Sequence, residues 1–207
     1  MASLSVKKKE LLEKLKRQGI NDKGVIAAMS KVKREEFVTK EFAGLAYEDA
    51  ALHLFEGQTI SQPYTVAFML KLLELNKGLS VLEVGSGSGY NAALMAEIVK
   101  PGKVYTTEVR KPLFEFASKN IKTYKNVSIA QKDGSKGWKE HAPFDRMILT
   151  AACEEIPKVL FQELSENGVL VAPVGSSEYQ VMKKITKKKG KLLYEDHGFF
   201  SFVPLKT

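Results

Sequence analysis

A glycine-rich turn is the part of this 207-residue sequence best suited to bind a ligand. Gly85, Gly87 and Gly89 alternate with serines, directly after an apolar segment and directly before a predicted helix. Glycine adopts positive φ angles and lets a ligand approach the backbone, while a helix start offers unpaired N–H groups. The spacing is G-x-G-x-G, not the G-x-G-x-x-G of dinucleotide-binding proteins. The turn therefore indicates a nucleotide-like ligand, with an ordinary strand-to-helix turn as the alternative.

Acidic residues follow the turn at the ends of the next predicted strands. Glu108 ends the second strand, about twenty residues after the glycines, where a carboxylate can accept hydrogen bonds from both ribose hydroxyls. Asp133 and Gly134 follow the third strand, where an aspartate can bind the amino group of adenine; a simple Asx turn is the alternative. Glu83 points from the first strand toward the same edge, either to brace the turn or as a structural carboxylate. Together these residues indicate a nucleoside site.

Predicted strands and helices alternate through the middle of the chain and bring these residues to one edge of a sheet. The apolar pattern predicts strands at 81–84, 103–109, 127–131, 144–150 and 168–173, and helices at 90–99, 112–124 and 156–164. Right-handed crossovers make such strands parallel, and ligands bind beyond their carboxyl ends where the winding direction switches. The fold class is therefore α/β, with a doubly wound, mostly parallel sheet.

The two ends of the chain differ from this alternating core. Amphipathic helices are predicted at 4–19 and from an N-cap at Asn21 to Val32, and a surface loop at 49–63 leads to a helix that begins at Pro63. At the other end we predict an antiparallel edge: a hairpin with strands at 179–186 and 191–195 around a turn at 188–190, then a last strand at 199–204. We expect a single domain, 1–207, made of N-terminal helices and a substrate loop (1–62), a cofactor-binding core (63–175) and C-terminal antiparallel strands (176–207).

Composition favours a cytoplasmic protein. Apolar residues make up 44% and charged residues 27% of the chain, as in ordinary globular proteins. The first residues lack the apolar core of a signal peptide, and no apolar run reaches about 18 residues, so we expect neither export nor a membrane partner. The single cysteine, Cys153, cannot form an internal disulfide and is expected to be structural. The histidines are scattered, so no metal site is predicted.

The net charge of +8 raises the possibility of a nucleic-acid partner. The lysines, however, are spread over separate segments, mostly without the interleaved aromatic side chains that would stack on bases. Solvated surfaces account for this distribution better than a binding site does. We therefore expect a monomer with no nucleic-acid partner.

A series of motifs along nearly the whole chain resembles the protein-L-isoaspartate O-methyltransferase family. In chain order they are 56–63 (EGQTISQP), 81–90 (VLEVGSGSGY), 107–109 (TEV), 132–134 (KDG) with 137–138 (GW), 144–146 (FDR), 150–152 (TAA), 155–157 (EIP) and 202–205 (FVPL). Many S-adenosylmethionine-dependent methyltransferases share the glycine turn, whereas segment 56–63 and the order of the motifs are typical of this family. The resemblance implies a Rossmann-like methyltransferase fold with S-adenosylmethionine as cofactor.

The reaction that this resemblance implies is methyl transfer to the α-carboxylate of L-isoaspartyl residues in damaged proteins and peptides. The ester then collapses to a succinimide, which can reopen to normal aspartate. By the same resemblance Ser61 is the active-site serine, and the cofactor contacts are Thr59, Ile60, Ser61, Gly85, Gly87, Glu108, Asp133 and Gly134. Glu83 is added to the cofactor-binding set from its place in the first strand. Within this set Gly85 and Gly87 approach the methionine part, Glu108 the ribose, and Asp133 with Gly134 the adenine.

The implied chemistry needs few reactive side chains. A carboxylic acid with a pKa of about 4 is already ionised at neutral pH, so the nucleophile needs no general base. Holding the reactants in line can supply on the order of 7 to 11 kcal/mol. We therefore expect Ser61 to position the substrate and not to act as a covalent nucleophile, because no His-Asp pair is evident to activate it. Its alternative role is as N-cap of the helix after Pro63.

The chain departs from the family pattern in its entry segment. Lys33 and Thr39 stand where the family usually has prolines, and Phe55 stands where it commonly has a glycine. These changes affect the stiffness of the loop and the lip of the pocket. Three other functions stay open at this point: methylation of another substrate such as RNA, a nicotinamide-dependent oxidoreductase, and a non-catalytic nucleotide-binding module.

Overall fold

The computed structural model describes residues 3–176 and 178–206. Met1, Ala2, Ser177 and Thr207, which the predicted domain includes, lie outside the described residues. The N-terminal part contains α1 (Leu4–Arg17), α2 (Lys23–Lys31), a short hairpin of β1 (Leu52–His53) and β2 (Thr59–Ile60), and α3 (Pro63–Leu72). The alternating core contains β3 (Ser80–Val84), α4 (Tyr90–Val99), β4 (Lys103–Glu108), α5 (Lys111–Asn120), β5 (Val127–Gln131), β6 (Phe144–Leu149) and α6 (Lys158–Glu163). The chain ends with β7 (Leu164–Gly175), β8 (Gln180–Lys188) and β9 (Lys191–Phe200).

A seven-stranded sheet with the order β5-β4-β3-β6-β7-β8-β9 forms the centre of the molecule. The strands from β5 to β7 are parallel, whereas β8 and β9 add an antiparallel edge. Neighbouring residues of β3 pack into different apolar clusters, Val81 on one face of the sheet and Leu82 on the other. The predicted fold class, an α/β doubly wound sheet with an antiparallel C-terminal edge, is confirmed. None of the described helices is long and apolar enough to cross a membrane.

The C-terminal strands differ from the prediction. β9 continues to Phe200, so the separate last strand predicted at 199–204 is wrong. Beyond β9 the chain instead lies beside Ala152, which donates its N–H to Val203 at 2.8 Å and accepts the Leu205 N–H at 2.7 Å. This short pairing returns the C-terminal segment to the carboxyl ends of the parallel strands.

Two smaller predictions were wrong because local turn chemistry was misjudged. Asp22, not Asn21, caps α2, and its side chain accepts the Val25 N–H at 2.8 Å. The strand predicted at 168–173 begins earlier, at Leu164, because Asn167 adopts a positive φ of 62° without breaking the strand. The register between β6 and β7 shifts here: Phe144 pairs with Leu164 and Arg146 pairs with Val169, so β7 carries additional residues that have no partner on β6.

Candidate active site

An opening that contains most of the predicted site residues lies where the winding of the sheet reverses. β3 lies between β4 and β6 in the sheet. From β3 the strand order continues to β4 and β5 on one side and to β6 and β7 on the other, and ligands bind at such a reversal in open α/β sheets. The cavity there, counted together with the open solvent at its mouth, has a volume of about 770 Å³. Its walls come from β2, the turn after β3, the ends of β4, β5 and β6, and the C-terminal segment. The predicted site residues among them are Thr59, Ile60, Ser61, Gly85, Gly87, Glu108 and Gly134.

The glycine turn has the backbone geometry that the sequence predicts. Gly85, Gly87 and Gly89 all have positive φ, at 95°, 53° and 84°. A Cβ on Gly85 would lie 2.6 Å from Oγ1 of Thr150, whereas a Cβ on Gly87 would meet no protein atom within 4 Å. Gly85 is therefore required by the protein beneath it, and Gly87 keeps the backbone open toward the cavity.

Contacts from two strands fix this turn. The N–H groups of Gly85 and Ser86 both donate to the Thr107 carbonyl, at 3.0 and 2.9 Å. On the other side, the Thr150 hydroxyl donates to the Gly85 carbonyl. Thr150 was not among the predicted site residues, although it lies within one of the quoted motifs. Its signal was a hydroxyl at the carboxyl end of β6, directly opposite the turn.

Glu108 joins the turn to the end of β4. Its Oε2 accepts the Gly87 N–H at 3.0 Å, and its Oε1 accepts the Arg110 N–H at 3.0 Å. Glu108 is buried, and it lines the cavity. Each carboxylate oxygen has two lone pairs, so both can accept another hydrogen bond from a ligand.

Gly134 and Asp133 have different positions relative to the cavity. Gly134 lines it, and a Cβ there would lie 2.2 Å from Oγ1 of Thr107 and 2.8 Å from Val84. Asp133 is not among the lining residues, and its Oδ1 accepts the N–H and the hydroxyl of Ser135 in an Asx turn. Burial raises the pKa of Asp133, but these hydrogen bonds and nearby Lys136 outweigh it, so the pKa is lowered overall.

Glu83 is also absent from the walls of the cavity. It is fully buried inside β3, where Thr106 of β4 donates a hydroxyl hydrogen bond to its Oε2. Burial raises its pKa to about 8, against the opposing effect of the Thr106 hydrogen bond and with some help from Glu108. Its contacts place it as a brace between two strands behind the glycine turn.

The segment Thr59–Ile60, which is β2, brings Ser61 to the cavity. Ile60 is buried and pairs with Leu52 of β1. Its neighbours Thr59 and Ser61 line the cavity. The alternative that Ser61 caps α3 is wrong. Gln62 occupies the N-cap position, and Asp49 accepts the Tyr64 N–H of the first turn at 2.9 Å.

Arg34 holds the Ser61 segment, and the sequence analysis did not predict it. Its Nη2 donates to the Ser61 carbonyl and its Nε to the Ala46 carbonyl, both at 2.8 Å. The guanidinium is fully buried and lies 5.0 Å from the centre of the Tyr90 ring. Burial lowers its pKa to about 10, with Tyr90 as the largest opposing influence, so it remains charged at neutral pH. The sequence feature that points to Arg34 is its place directly after Lys33, in the entry segment where the chain departs from the family pattern.

Phe55 does not close the mouth of the site. It lies in the turn of the β1–β2 hairpin and packs edge-on against Phe116 of α5, with ring centres 5.2 Å apart. Next to it, Glu56 has a positive φ of 52° and forms an ion pair of 2.6 Å with Arg110. The hairpin is therefore attached to the start of α5, above the wall that contains Glu108.

A second, wider cavity adjoins the first. Four residues line both cavities: Thr59, Ser61, Thr150 and Val203. The rest of its described wall combines aromatic rings with small and uncharged polar residues and His197, and it includes no lysine, arginine, aspartate or glutamate. A ligand in one cavity can therefore meet a ligand in the other at a junction formed by three hydroxyl-bearing residues.

The first cavity fits the nucleoside cofactor that the motifs imply. The open backbone at Gly87 and the buried hydroxyl of Ser86, which has no hydrogen-bond partner among the described residues, are available to polar groups of a ligand. The Glu108 carboxylate can accept hydroxyl hydrogen bonds, and Gly134 leaves room for a ring. The single cysteine, Cys153, is half-buried. Burial raises the pKa of its thiol to about 11, as expected of a structural thiol.

Comparisons with known proteins show which family the chain belongs to. Residues 6–207 match the family model described as Protein-L-isoaspartate(D-aspartate) O-methyltransferase. A protein named protein-L-isoaspartate O-methyltransferase from Dictyoglomus turgidum is 46% identical over 202 residues, covering 97% of this chain and 91% of that protein. One from Ignicoccus hospitalis is 45% identical over 204 residues, covering 96% and 97%.

Solved structures give the same result. A putative protein-L-isoaspartate O-methyltransferase from Plasmodium falciparum, in complex with S-adenosyl-L-homocysteine, has a TM-score of 0.85 and 33% identity, covering 96% of this chain and 97% of that one. Another structure named protein-L-isoaspartate O-methyltransferase has a TM-score of 0.88 and 31% identity over 97% of this chain, which spans 66% of that longer protein. The chain belongs to the protein-L-isoaspartate(D-aspartate) O-methyltransferase family.

Proposed function

We propose that this chain transfers a methyl group from S-adenosyl-L-methionine to the α-carboxylate of L-isoaspartyl residues in proteins and peptides. The observation that carries the proposal is the junction of two cavities at Thr59, Ser61 and Thr150. One cavity has a nucleoside-binding wall at the switch point of the sheet, and the other is open and wide enough for a peptide. The family membership of the chain supports the same reaction.

The nucleoside-binding wall divides the cofactor contacts among its residues. We assign Gly85 and Gly87 to the methionine part, Glu108 to the ribose hydroxyls and Gly134 to the adenine ring. Asp133, which lies behind Gly134, holds the backbone N–H of Ser135, and Glu83, which lies behind the turn, accepts the Thr106 hydroxyl and so links β3 to β4. Bound S-adenosyl-L-methionine supplies an electrophilic methyl group on a sulfonium.

At the junction, Thr59, Ile60 and Ser61 position the acceptor carboxylate. The hydroxyls of Thr59 and Ser61 can donate to it, and no lysine or arginine appears in the described wall of the second cavity. A carboxylate without a cationic partner keeps its charge available as a nucleophile, because charge-assisted bonds would hold that charge more strongly. Ser61 therefore orients the acceptor, and its backbone is fixed in turn by Arg34.

We propose that the chain acts as a cytoplasmic monomer on isoaspartyl proteins and peptides, without nucleic acid. Several lysines outside the site already form ion pairs, such as Lys31 with Glu97 and Lys184 with Glu74, both at 2.6 Å. The alternatives, an RNA methyltransferase or a non-catalytic nucleotide-binding module, have no specific observation in their favour.

The direct test is transfer of labelled methyl groups to an isoaspartyl peptide, with the matching aspartyl peptide as control. We expect methylation of the isoaspartyl peptide alone. Binding of S-adenosyl-L-homocysteine, measured in parallel by quenching of Trp138, would establish that the protein is intact. Equal inertness toward both peptides in a protein that binds S-adenosyl-L-homocysteine would refute the assignment and favour the non-catalytic module.

A further inference from the structure

One wall of the second cavity is built from stacked aromatic rings. Phe68 of α3 stacks on Phe200 of β9 with ring centres 5.5 Å apart, and on Tyr64 at 5.9 Å. Phe202 follows at 6.5 Å from Phe200. All four rings are partly buried and pack against the larger apolar cluster. The wall is therefore fixed before any ligand binds.

At the rim of this wall, Phe199 presents its ring to solvent. It is 73% exposed, and its edge contacts Tyr179, which is 57% exposed, with ring centres 5.5 Å apart. Burying apolar surface is favourable, so such exposure leaves apolar surface that a ligand could cover. The two rings form a paired apolar platform.

A bulge in β9 gives Phe199 this position. The pairing between β8 and β9 shifts register between Val181 and Lys183, and Gly198 has a positive φ of 86°. A bulge changes which face of the strand the following residue occupies. The bulge therefore determines which face of β9 Phe199 occupies. Phe199 and its neighbour Phe200 both line the second cavity.

The platform is continuous with the site of methyl transfer. The acceptor carboxylate must lie at the junction lined by Ser61 and Thr150, so the peptide on either side of it has to extend into the second cavity. No lysine, arginine, aspartate or glutamate lines the described part of that wall, and its aromatic rings are the surface there that can cover a large side chain. A large apolar side chain of the substrate is the group that this surface can bury.

We propose that Phe199, supported by Tyr179, is a specificity-determining residue that favours substrates with an aromatic or large aliphatic side chain close to the isoaspartyl residue. The proposal deepens the proposed function and depends on it only for the identity of the acceptor. It predicts that peptides with such a neighbour bind more tightly than peptides with alanine there.

The test uses isoaspartyl peptides of equal length. In the reference peptide the two residues on each side of the isoaspartyl residue are all alanine. In each of the other peptides one of these four alanines is replaced by phenylalanine. For the wild-type protein we expect at least one phenylalanine position to raise kcat/KM about tenfold, mainly through KM. That ratio corresponds to about 1.4 kcal/mol. In Phe199→Ala the ratio of kcat/KM between the best phenylalanine peptide and the all-alanine peptide should fall below twofold, and Phe199→Leu should restore part of that ratio.

Leu193→Ala is the matched control, because Leu193 lies on the same strand, is 49% exposed and does not line the cavity. It should leave the preference unchanged. Binding of the same peptides to protein loaded with S-adenosyl-L-homocysteine gives a readout that does not need turnover, so a failure of the proposed function remains distinguishable. An equal gain from phenylalanine in wild type and Phe199→Ala overturns the proposal. So does a concentration-dependent dimer that Phe199→Ala dissociates with no change in peptide preference.

Discussion

Replacing Arg34 tests whether a buried cation positions the acceptor segment. Its guanidinium bridges the Ala46 and Ser61 carbonyls, each at 2.8 Å, from a fully buried position. Lysine in its place carries the same charge on one nitrogen and cannot reproduce the planar fork that reaches both carbonyls. Arg34→Lys therefore removes the bridge while keeping the charge.

The expected loss of stability follows from the two carbonyls. A buried acceptor that loses its donor costs about 1–3 kcal/mol. The Ala46 bond is fully buried, whereas the Ser61 bond is only partly buried, so water can replace part of the second. We expect the free energy of unfolding to fall by about 2–4 kcal/mol in Arg34→Lys. Lys33→Met, at the exposed neighbouring residue, should change it by less than about 0.5 kcal/mol.

The kinetic effect separates positioning from simple destabilisation. The glycine turn is held by Thr107 and Thr150, not by Arg34, so binding of S-adenosyl-L-homocysteine should change by less than about threefold. Since the Ser61 segment loses its anchor, kcat/KM for an isoaspartyl peptide should fall roughly 10- to 100-fold. The rates are measured at a temperature well below the midpoint of thermal unfolding. Urea unfolding, calorimetry and initial rates measure the three quantities. Wild-type kcat/KM in a folded Arg34→Lys protein would show that Arg34 has no positioning role.

Three further substitutions test the cofactor side. Glu108→Ala should weaken binding of S-adenosyl-L-homocysteine about 10- to 100-fold in calorimetry, because hydrogen bonds to a charged group are worth about 1.5–3 kcal/mol; unchanged affinity would remove Glu108 from the ribose site. Gly134→Ala should destabilise the fold by about 1–3 kcal/mol in urea, because its Cβ would lie 2.2 Å from Oγ1 of Thr107. Gly44→Ala, which meets nothing within 4 Å, is its control, and equal effects of the two would contradict the packing argument. Glu83 has a folded-state pKa of about 8, above its ordinary value of 4.5, so its contribution to stability should be complete below pH 4.5 and lost as the pH rises to 8. Glu83→Gln should remove that slope, on the order of 1.4 kcal/mol per pH unit, from unfolding curves measured at several pH values, and an unaltered slope would place the raised pKa elsewhere.

The cofactor side of the site could be predicted from sequence because its chemistry lies in the backbone. Glycine at 85, 87 and 89 has a direct conformational meaning, and the structure has positive φ at all three. The alternation of strands and helices then predicts where Glu108 and Gly134 arrive, because parallel strands end at one edge. Turn chemistry was less predictable: the bulge at Asn167 and the cap at Asp22 depend on choices between neighbouring residues that the local sequence leaves nearly equal.

The acceptor side could be predicted only in part, because it is assembled from distant segments. Arg34 reaches Ser61 across 27 residues, and nothing in its own surroundings distinguishes a buried arginine from an exposed one. Phe199 acquires its position from a bulge that no local signal except Gly198 announces. The two halves of the site therefore differ in how they can change. A substitution at Gly85 or Gly134 collides with packed protein atoms at 2.6 Å or less, whereas the exposed ring of Phe199 can be replaced without disturbing the core. Peptide preference can consequently vary among sequences that keep the same cofactor site.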